Sequence, residues 1–292
     1  MAHSKKTPYR VSGPLVLSGA LSKMSESKCL HALFVLAQGQ GWEADSRGMY
    51  RIRLGELHRL TGKTHRKWHQ YLATLTRIRD NVRLDWGHLS RKVGGFNRTG
   101  DTPLVTEVFA ELDLAGGFEE IAFALPSSLV EDVIKPHWFG QVDTGVLFSL
   151  RSNYAFNAYL YASLTVIEKD KTKSEFFSHA YPIDEWREIL GSGDAYPAPA
   201  HFRAKVFKRT EASILKARDV DGFYLSVKWI ETKMGLYQMH VKRLRKLPSA
   251  KSAPKPVTAA EKASAAELKA NGEYFAKLRK STGFDSSGLA PQ

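Results

Sequence analysis

The stretch Ile183-Asp184-Glu185-Trp186-Arg187-Glu188-Ile189-Leu190-Gly191, followed after a Gly/Ser/Pro-rich connection by Phe202-Arg203-Ala204-Lys205-Val206-Phe207-Lys208-Arg209-Thr210, decides the fold. In the first segment Ile183, Trp186, Ile189 and Leu190 recur at helical spacing, and Gly191 stops the run. The second segment belongs to a longer helix, Ala200 to Lys216, that carries Phe202, Val206, Thr210 and Ile214 on one stripe. Its other side holds Arg203, Lys205, Lys208, Arg209 and Lys216, with Glu211 the only acid among them. Downstream, Gly222 to Trp229 and Leu236 to Val241 read as the two strands of a hairpin around Lys233 and Gly235. A helix, a connection, a second helix with a cationic outer face and a hairpin make the plan of a winged helix. That is a helix-turn-helix variant whose second helix enters the DNA major groove.

The same grammar occurs earlier in the chain. Ser27 to Gln38 places Cys29, Leu30, Leu33, Phe34, Leu36 and Ala37 at helical spacing, and Gly39 and Gly41 end the helix. Tyr50, Ile52 and Leu54 then alternate with Arg51 and Arg53 as a short half-buried strand, and Leu54 to Leu60 is a short helix stopped at Gly62. A longer helix begins near Thr64, with Trp68, Tyr71, Leu72 and Leu75 inward and His65, Arg66, Lys67, His69 and Arg77 outward. Strands are predicted at Val82 to Trp86, Leu104 to Leu112 and Ile121 to Leu125, with Lys92 to Pro103 as a mobile wing tip. A helix capped by Ser127 precedes a long helix, Thr144 to Ile167, and a charged loop, Lys169 to Lys173, leads into the second helix pair. The expected class is therefore α+β, two tandem winged helices. Residues 1–25 form a flexible arm, 26–143 the first module, 144–247 the second, and 248–292 a linker with a weakly helical tail.

Composition points to the same partner. The 292 residues carry 43 Lys+Arg against 30 Asp+Glu, a net charge of +13, and an apolar content of 43% that fills two cores. A cationic excess of this size on a globular chain favours a polyanion, nucleic acid above all. No run reaches the roughly 18 apolar residues that span a bilayer, and Met1 to Arg10 lacks the apolar stretch of a secretory signal. Cys29 is the only cysteine, which excludes an internal disulfide and a cysteine-rich zinc site and fits a reducing cytoplasm.

Candidate DNA contacts are Arg203, Lys205, Lys208, Arg209 and Lys216 on the second recognition helix, where Arg pairs with guanine O6 and N7 and Lys with phosphate. Lys63, His65, Arg66 and Lys67 are candidates on the first, and Lys228, Lys233, Lys242 and Arg243 on the hairpin and its flank. A solvated charged face is the plain alternative for each set. His65 and His69 stand four apart but lack an intervening Glu and a third ligand, so no metal is assigned. Glu107, Glu111, Asp113, Glu119 and Glu120 fall on the outward side of strands and a turn, where a solvated hairpin accounts for them better than a nuclease centre. There is no His-x-His pair and no G-x-x-x-x-G-K-[ST] loop, so neither a metal nor a nucleotide cofactor is expected.

The order of these motifs resembles the plasmid replication initiators of the Rep_3 family. The resemblance rests on Leu150-Arg151-Ser152-Asn153-Tyr154-Ala155 with Tyr159, on Ile183 to Gly191 with Tyr196, and on Phe202 to Arg209. It covers about Glu120 to Leu244 and more loosely the chain from Ser25. Asn157 and Ala158 depart from it, standing where a basic residue and Leu are expected. The resemblance implies a non-enzymatic initiator that binds repeated origin sequences, called iterons, in double-stranded DNA. It further implies origin opening with a host initiator and chaperones, recruitment of the replicative helicase, and a dimeric form that represses its own gene and so takes part in copy control. The rival readings are a winged-helix transcriptional repressor and a rolling-circle nicking enzyme.

Overall fold

The computed structural model describes residues 9–18, 21, 23–62, 68–93, 99–112, 118–134, 136, 138–166, 173–217 and 224–244. The chain opens with strand β1 (Tyr9–Ser12) and helix α1 (Gly13–Leu17). The first module then runs through α2 (Met24–Gly39), β2 (Tyr50–Arg53), α3 (Leu54–Thr61) and α4 (Trp68–Asn81). An inserted ribbon follows, β3 (Arg83–Asp85), α5 (Trp86–Val93) and β4 (Asp101–Pro103), and then β5 (Glu107–Leu112) and β6 (Phe118–Ala124). The link comprises α6 (Ser127–Ile134), β7 (Phe139–Val142) and α7 (Thr144–Ser149). The second module consists of α8 (Asn153–Thr165), β8 (Glu175–Tyr181), α9 (Ile183–Leu190), α10 (Pro199–Phe202), α11 (Lys208–Ala217), β9 (Tyr224–Glu231) and β10 (Tyr237–Leu244). A π-helical turn, Arg203–Phe207, joins α10 to α11 as one continuous helix.

Sheet topology makes the two modules equivalent. Each is helix, strand, helix, helix and hairpin, and in each the first strand pairs with the last: β2-β6-β5 in one and β8-β10-β9 in the other, all antiparallel. Two winged helices in tandem are the result, as the periodicity predicts. The register Tyr237↔Glu231 to Leu244↔Tyr224 extends the hairpin beyond the strand ends expected from alternation.

Helix α8 is the common centre. Ala155 to Leu164 are buried almost without interruption, so the helix has no solvent face and lies inside the fold rather than on it. Strand β7 crosses it closely: a Cβ on Gly140 would lie 2.7 Å from the Ser163 carbonyl carbon, which makes glycine obligatory there. The helix predicted over Thr144 to Ile167 is divided in two. Asp143 caps α7 by accepting from the Gly145 and Val146 amides, Leu150 turns extended (ψ 137°), and Ser152 starts α8.

Several expectations are corrected. Residues 1–25 do not all form a loose arm: β1 pairs with β7, and Tyr9, Val11, Leu15, Val16, Leu17 and Leu21 are buried. The partner strand lies some 130 residues away, so local pattern alone did not reveal the pairing. Strand β8, between the charged loop read at Lys169 to Lys173 and α9, was not predicted; its aromatic residues fall on both faces and blur the period of two. Trp86 begins a helix instead of ending a strand, because Asp85 Oδ1 caps the His88 amide at 2.8 Å and the Trp86 indole donates to Thr102 Oγ1. Trp68, expected inward, is 37% exposed. The stretch read as a wing tip is not one loop: Lys92 and Val93 end α5 and Asp101–Pro103 form β4, paired with β3, while residues 94–98 lie outside the described residues, as do 245–292 with the linker and tail.

Candidate nucleic-acid interface

The second helix-turn-helix is built around a buried arginine. Arg187, 9% exposed, donates to three consecutive carbonyls of the connection: Nη1 to Ala195 at 2.7 Å, and Nη2 to Tyr196 at 2.6 Å and Pro197 at 2.9 Å. Its guanidinium also lies 4.6 Å from the centre of the Phe202 ring and its Nε 3.3 Å from Asp184. One side chain thus satisfies the backbone of the turn and seats the first turn of the recognition helix. Gly191 ends α9 with φ +64°, and the Ser192 amide returns to the Arg187 carbonyl, a glycine C-cap.

The π turn inside the recognition helix follows from its apolar spacing. Phe202, Val206, Thr210 and Ile214 recur every four residues, whereas an α-helix completes a turn in about 3.6, so each step overshoots by roughly 0.4 residue. A wide turn over Arg203–Phe207 absorbs that drift, and all four side chains stay buried. The Phe207 ring joins them, stacked on Trp229 at 4.5 Å.

The opposite side is cationic and open. Lys205, Lys208, Arg209 and Lys216 are exposed, and His201, Ala204, Ala212 and Leu215 are exposed on the same helix. The other two charged groups are engaged with the wing. Arg203 Nη1 donates to Tyr237 Oη at 2.5 Å and lies 3.8 Å from Glu231. Glu211 Oε1 accepts from the Trp229 amide at 2.8 Å; burial pushes its carboxyl pKa up, opposed by that N–H and by Lys228 and Lys208. Glu211 therefore pins β9 to the helix and leaves the outer face free of acid.

On the wing, Lys228 is exposed, Lys233 sits in the hairpin loop, and Lys242 bonds Glu175 at 2.7 Å. That pairing and His240 hold the Glu175 carboxyl below its ordinary range. Arg243, a candidate contact, is only 5% exposed. Strand alternation puts Met239, Val241 and Arg243 on the inner side of β10, so Lys242 and Arg243 do not share a face. In the first module, Lys63, His65, Arg66 and Lys67 lie outside the described residues; of that helix, Trp68 and His69 are exposed at the start of α4. Glu111 and Glu120 flank Arg51, which also bonds Asp45, as a surface ion-pair group on the first sheet. Among the described residues no three His, Cys, Asp or Glu side chains are arranged to hold a metal ion, and no helix is long and apolar enough to cross a membrane.

The crystal structure of Pi initiator protein in complex with iteron DNA matches 84% of this chain and 100% of its own, with a TM-score of 0.54 and 16% sequence identity. The chain has the fold of the Pi initiator. The Pi match spans both modules, consistent with the repeated topology above. Domains 2 and 3 of RctB also align, over 77% of this chain and 83% of theirs, at 12% identity and a TM-score of 0.44. No protein-family model and no curated protein sequence matches the chain. The likeness to Pi is thus one of fold, with few identical residues.

The modules meet in a small polar junction. Asn157 Nδ2 donates to the last carbonyl of α9, Leu190, at 3.0 Å and reaches the Leu21 carbonyl at 3.5 Å. Asn153 bonds Ser27 of α2 at 3.0 Å, and His88 lies 3.1 Å from Glu188. Asn157, the departure noted in the sequence, is therefore a tie between α8, α9 and the N-terminal segment. Arg187 and Asn157 escaped sequence reading because their partners are backbone carbonyls, which carry no residue signature, and the Asn153–Ser27 and His88–Glu188 pairs because their members lie 100 or more residues apart.

Proposed function

We propose that the protein is a plasmid replication initiator that binds iterons in double-stranded DNA through α10–α11, lodged in the major groove, and couples that binding to opening of the adjacent origin. The observation that carries the reading is the exposed row of Lys205, Lys208, Arg209 and Lys216 on a helix fixed by Arg187 and flanked by a wing, within a fold shared with an initiator crystallised on iteron DNA. The second module, 144–247, supplies the main base contacts. The first, 26–143, adds a further DNA contact through residues 63–69 and the surface for self-association, by which a dimer represses its own gene. Host initiator, helicase and chaperones act with the bound protein in the cytoplasm, and no bond is made or broken by the protein itself.

The test uses supercoiled DNA carrying the direct repeats beside the gene. Footprinting is expected to show protection of each repeat, and permanganate, with host factors present, reactive thymines in the flanking A·T-rich DNA. Protection without melting under those conditions reduces the function to that of a repressor, and cleavage with divalent metal makes it a nicking enzyme.

A further inference from the structure

The tip of the second wing carries Lys233, Met234 and Gly235 in a three-residue loop. The loop is closed by the Thr232 amide donating to the Leu236 carbonyl at 2.8 Å and the Gly235 amide donating to the Thr232 carbonyl at 3.1 Å. Gly235 has φ +71°, the left-handed residue that such tight hairpin loops require. Met234 is 74% exposed, the most exposed large apolar side chain among the described residues. An apolar side chain held out on a short, bonded loop is a fixed projection. Its position is set relative to the recognition helix, since Arg203 reaches both members of the last strand pair before the loop, Tyr237 and Glu231. Lys233 beside it supplies a phosphate-seeking charge, and Met is unbranched and polarisable, able to fit an irregular apolar slot.

We infer that Met234 is a wedge that enters the minor groove beside the major-groove segment occupied by α10–α11 and partly unstacks one base step, kinking the duplex. Side chains of this type inserted between base pairs bend DNA by about 20–90°. The energy comes from contacts made by the cationic helix, and flexible pyrimidine–purine steps are the least costly to open. The wedge rests on the proposed DNA-binding role and supplies the physical step from gripping a repeat to straining its neighbour.

The experiment uses the full chain and a duplex that the wild-type protein itself selects from a random-sequence pool. The duplex is end-labelled for energy transfer and carries a fluorescent adenine analogue whose emission rises on unstacking. Wild-type protein is expected to shorten the end-to-end distance and raise the emission at one step. Met234→Ala keeps the thermal midpoint and still binds, but loses the emission rise and most of the bend, and Met234→Leu restores both. A wild-type complex that stays straight, or a Met234→Ala complex as bent and as bright as wild type, overturns the wedge and leaves DNA binding intact. If the wild-type protein selects no duplex at all, the DNA-binding reading falls and the wedge with it.

Discussion

Arg203 and Arg209 lie six residues apart on one helix and have different surroundings. Arg209 is exposed on the cationic face, while Arg203 is bound to Tyr237 and Glu231. Arg209→Ala is therefore expected to cost about 1–3 kcal/mol of DNA binding and to relax preference at one base position, with an unchanged thermal midpoint. Arg203→Ala is expected to lower the thermal midpoint as well, because it releases the wing from the helix; binding titrations and calorimetry on the two variants separate these effects. A second residue makes the fold sensitive to acid. His31, wholly buried, faces Tyr9 Oη at 2.9 Å, and burial lowers its pKa from 6.5 to about 3. As pH falls below 6.5 the unfolded chain takes up a proton that the folded chain refuses, so this contribution to stability is complete above 6.5 and is lost progressively towards 3. At pH 5 the loss is about 2 kcal/mol. Denaturant titrations at pH 7 and pH 5 are expected to show it, and His31→Gln, which still bonds Tyr9 but does not titrate, to reduce it.

At the scale of elements, the helix-turn-helix depends on what fills the space between its helices. Arg187→Met keeps the length and loses the donors, leaving the carbonyls of Ala195, Tyr196 and Pro197 without their guanidinium partner. The carbonyls are part-buried and water can replace some of the lost donors, but hydrogen bonds to a charged group are worth about 1.5–3 kcal/mol, so the variant is expected to unfold at lower denaturant concentration. Weaker binding to every DNA sequence alike is expected too, since the seat of the helix is lost while its exposed cations remain. Most elements were legible beforehand. The spacing of Ile183, Trp186, Ile189 and Leu190, and the alternation through the hairpin, lead directly to α9, β9 and β10. Strand β8 was not legible, since Phe176 and Phe177 are adjacent and only pairing with β10 selects which one faces out: Phe177, 53% exposed and stacked on His240.

Across the whole molecule, the N-terminal segment closes the fold. Tyr9, Val11, Leu15, Val16 and Leu17 are buried in the core around α2, β7 and α8. A fully buried side chain of this kind is worth about 1.5–3 kcal/mol. Their sum is comparable to the total stability of an ordinary domain, about 5–15 kcal/mol. A chain beginning at Ser18 is therefore expected to lose its sharp thermal transition and to bind an apolar dye; a transition like that of the full chain would mean that the segment is dispensable. The charge of +13 belongs to this scale as well, for it favours a polyanion whatever the individual contacts.

The sequence by itself determined the class of fold, its repetition and the cationic face of the recognition helix. Those properties are periodic, and a period is visible wherever neighbouring residues share one face. Tertiary structure alone decided which cations are open and which are tied: Lys205, Lys208 and Arg209 project outward, while Arg203 reaches the wing, Arg187 the turn and Arg243 the inner side of its strand. It alone decided that Tyr9 to Leu17 belong to the core and that Asn157 ties α9 to the N-terminal segment. The physical reason is the same in each case. The partner is a group distant in sequence or a backbone carbonyl, and neither leaves a mark in the local order of side chains.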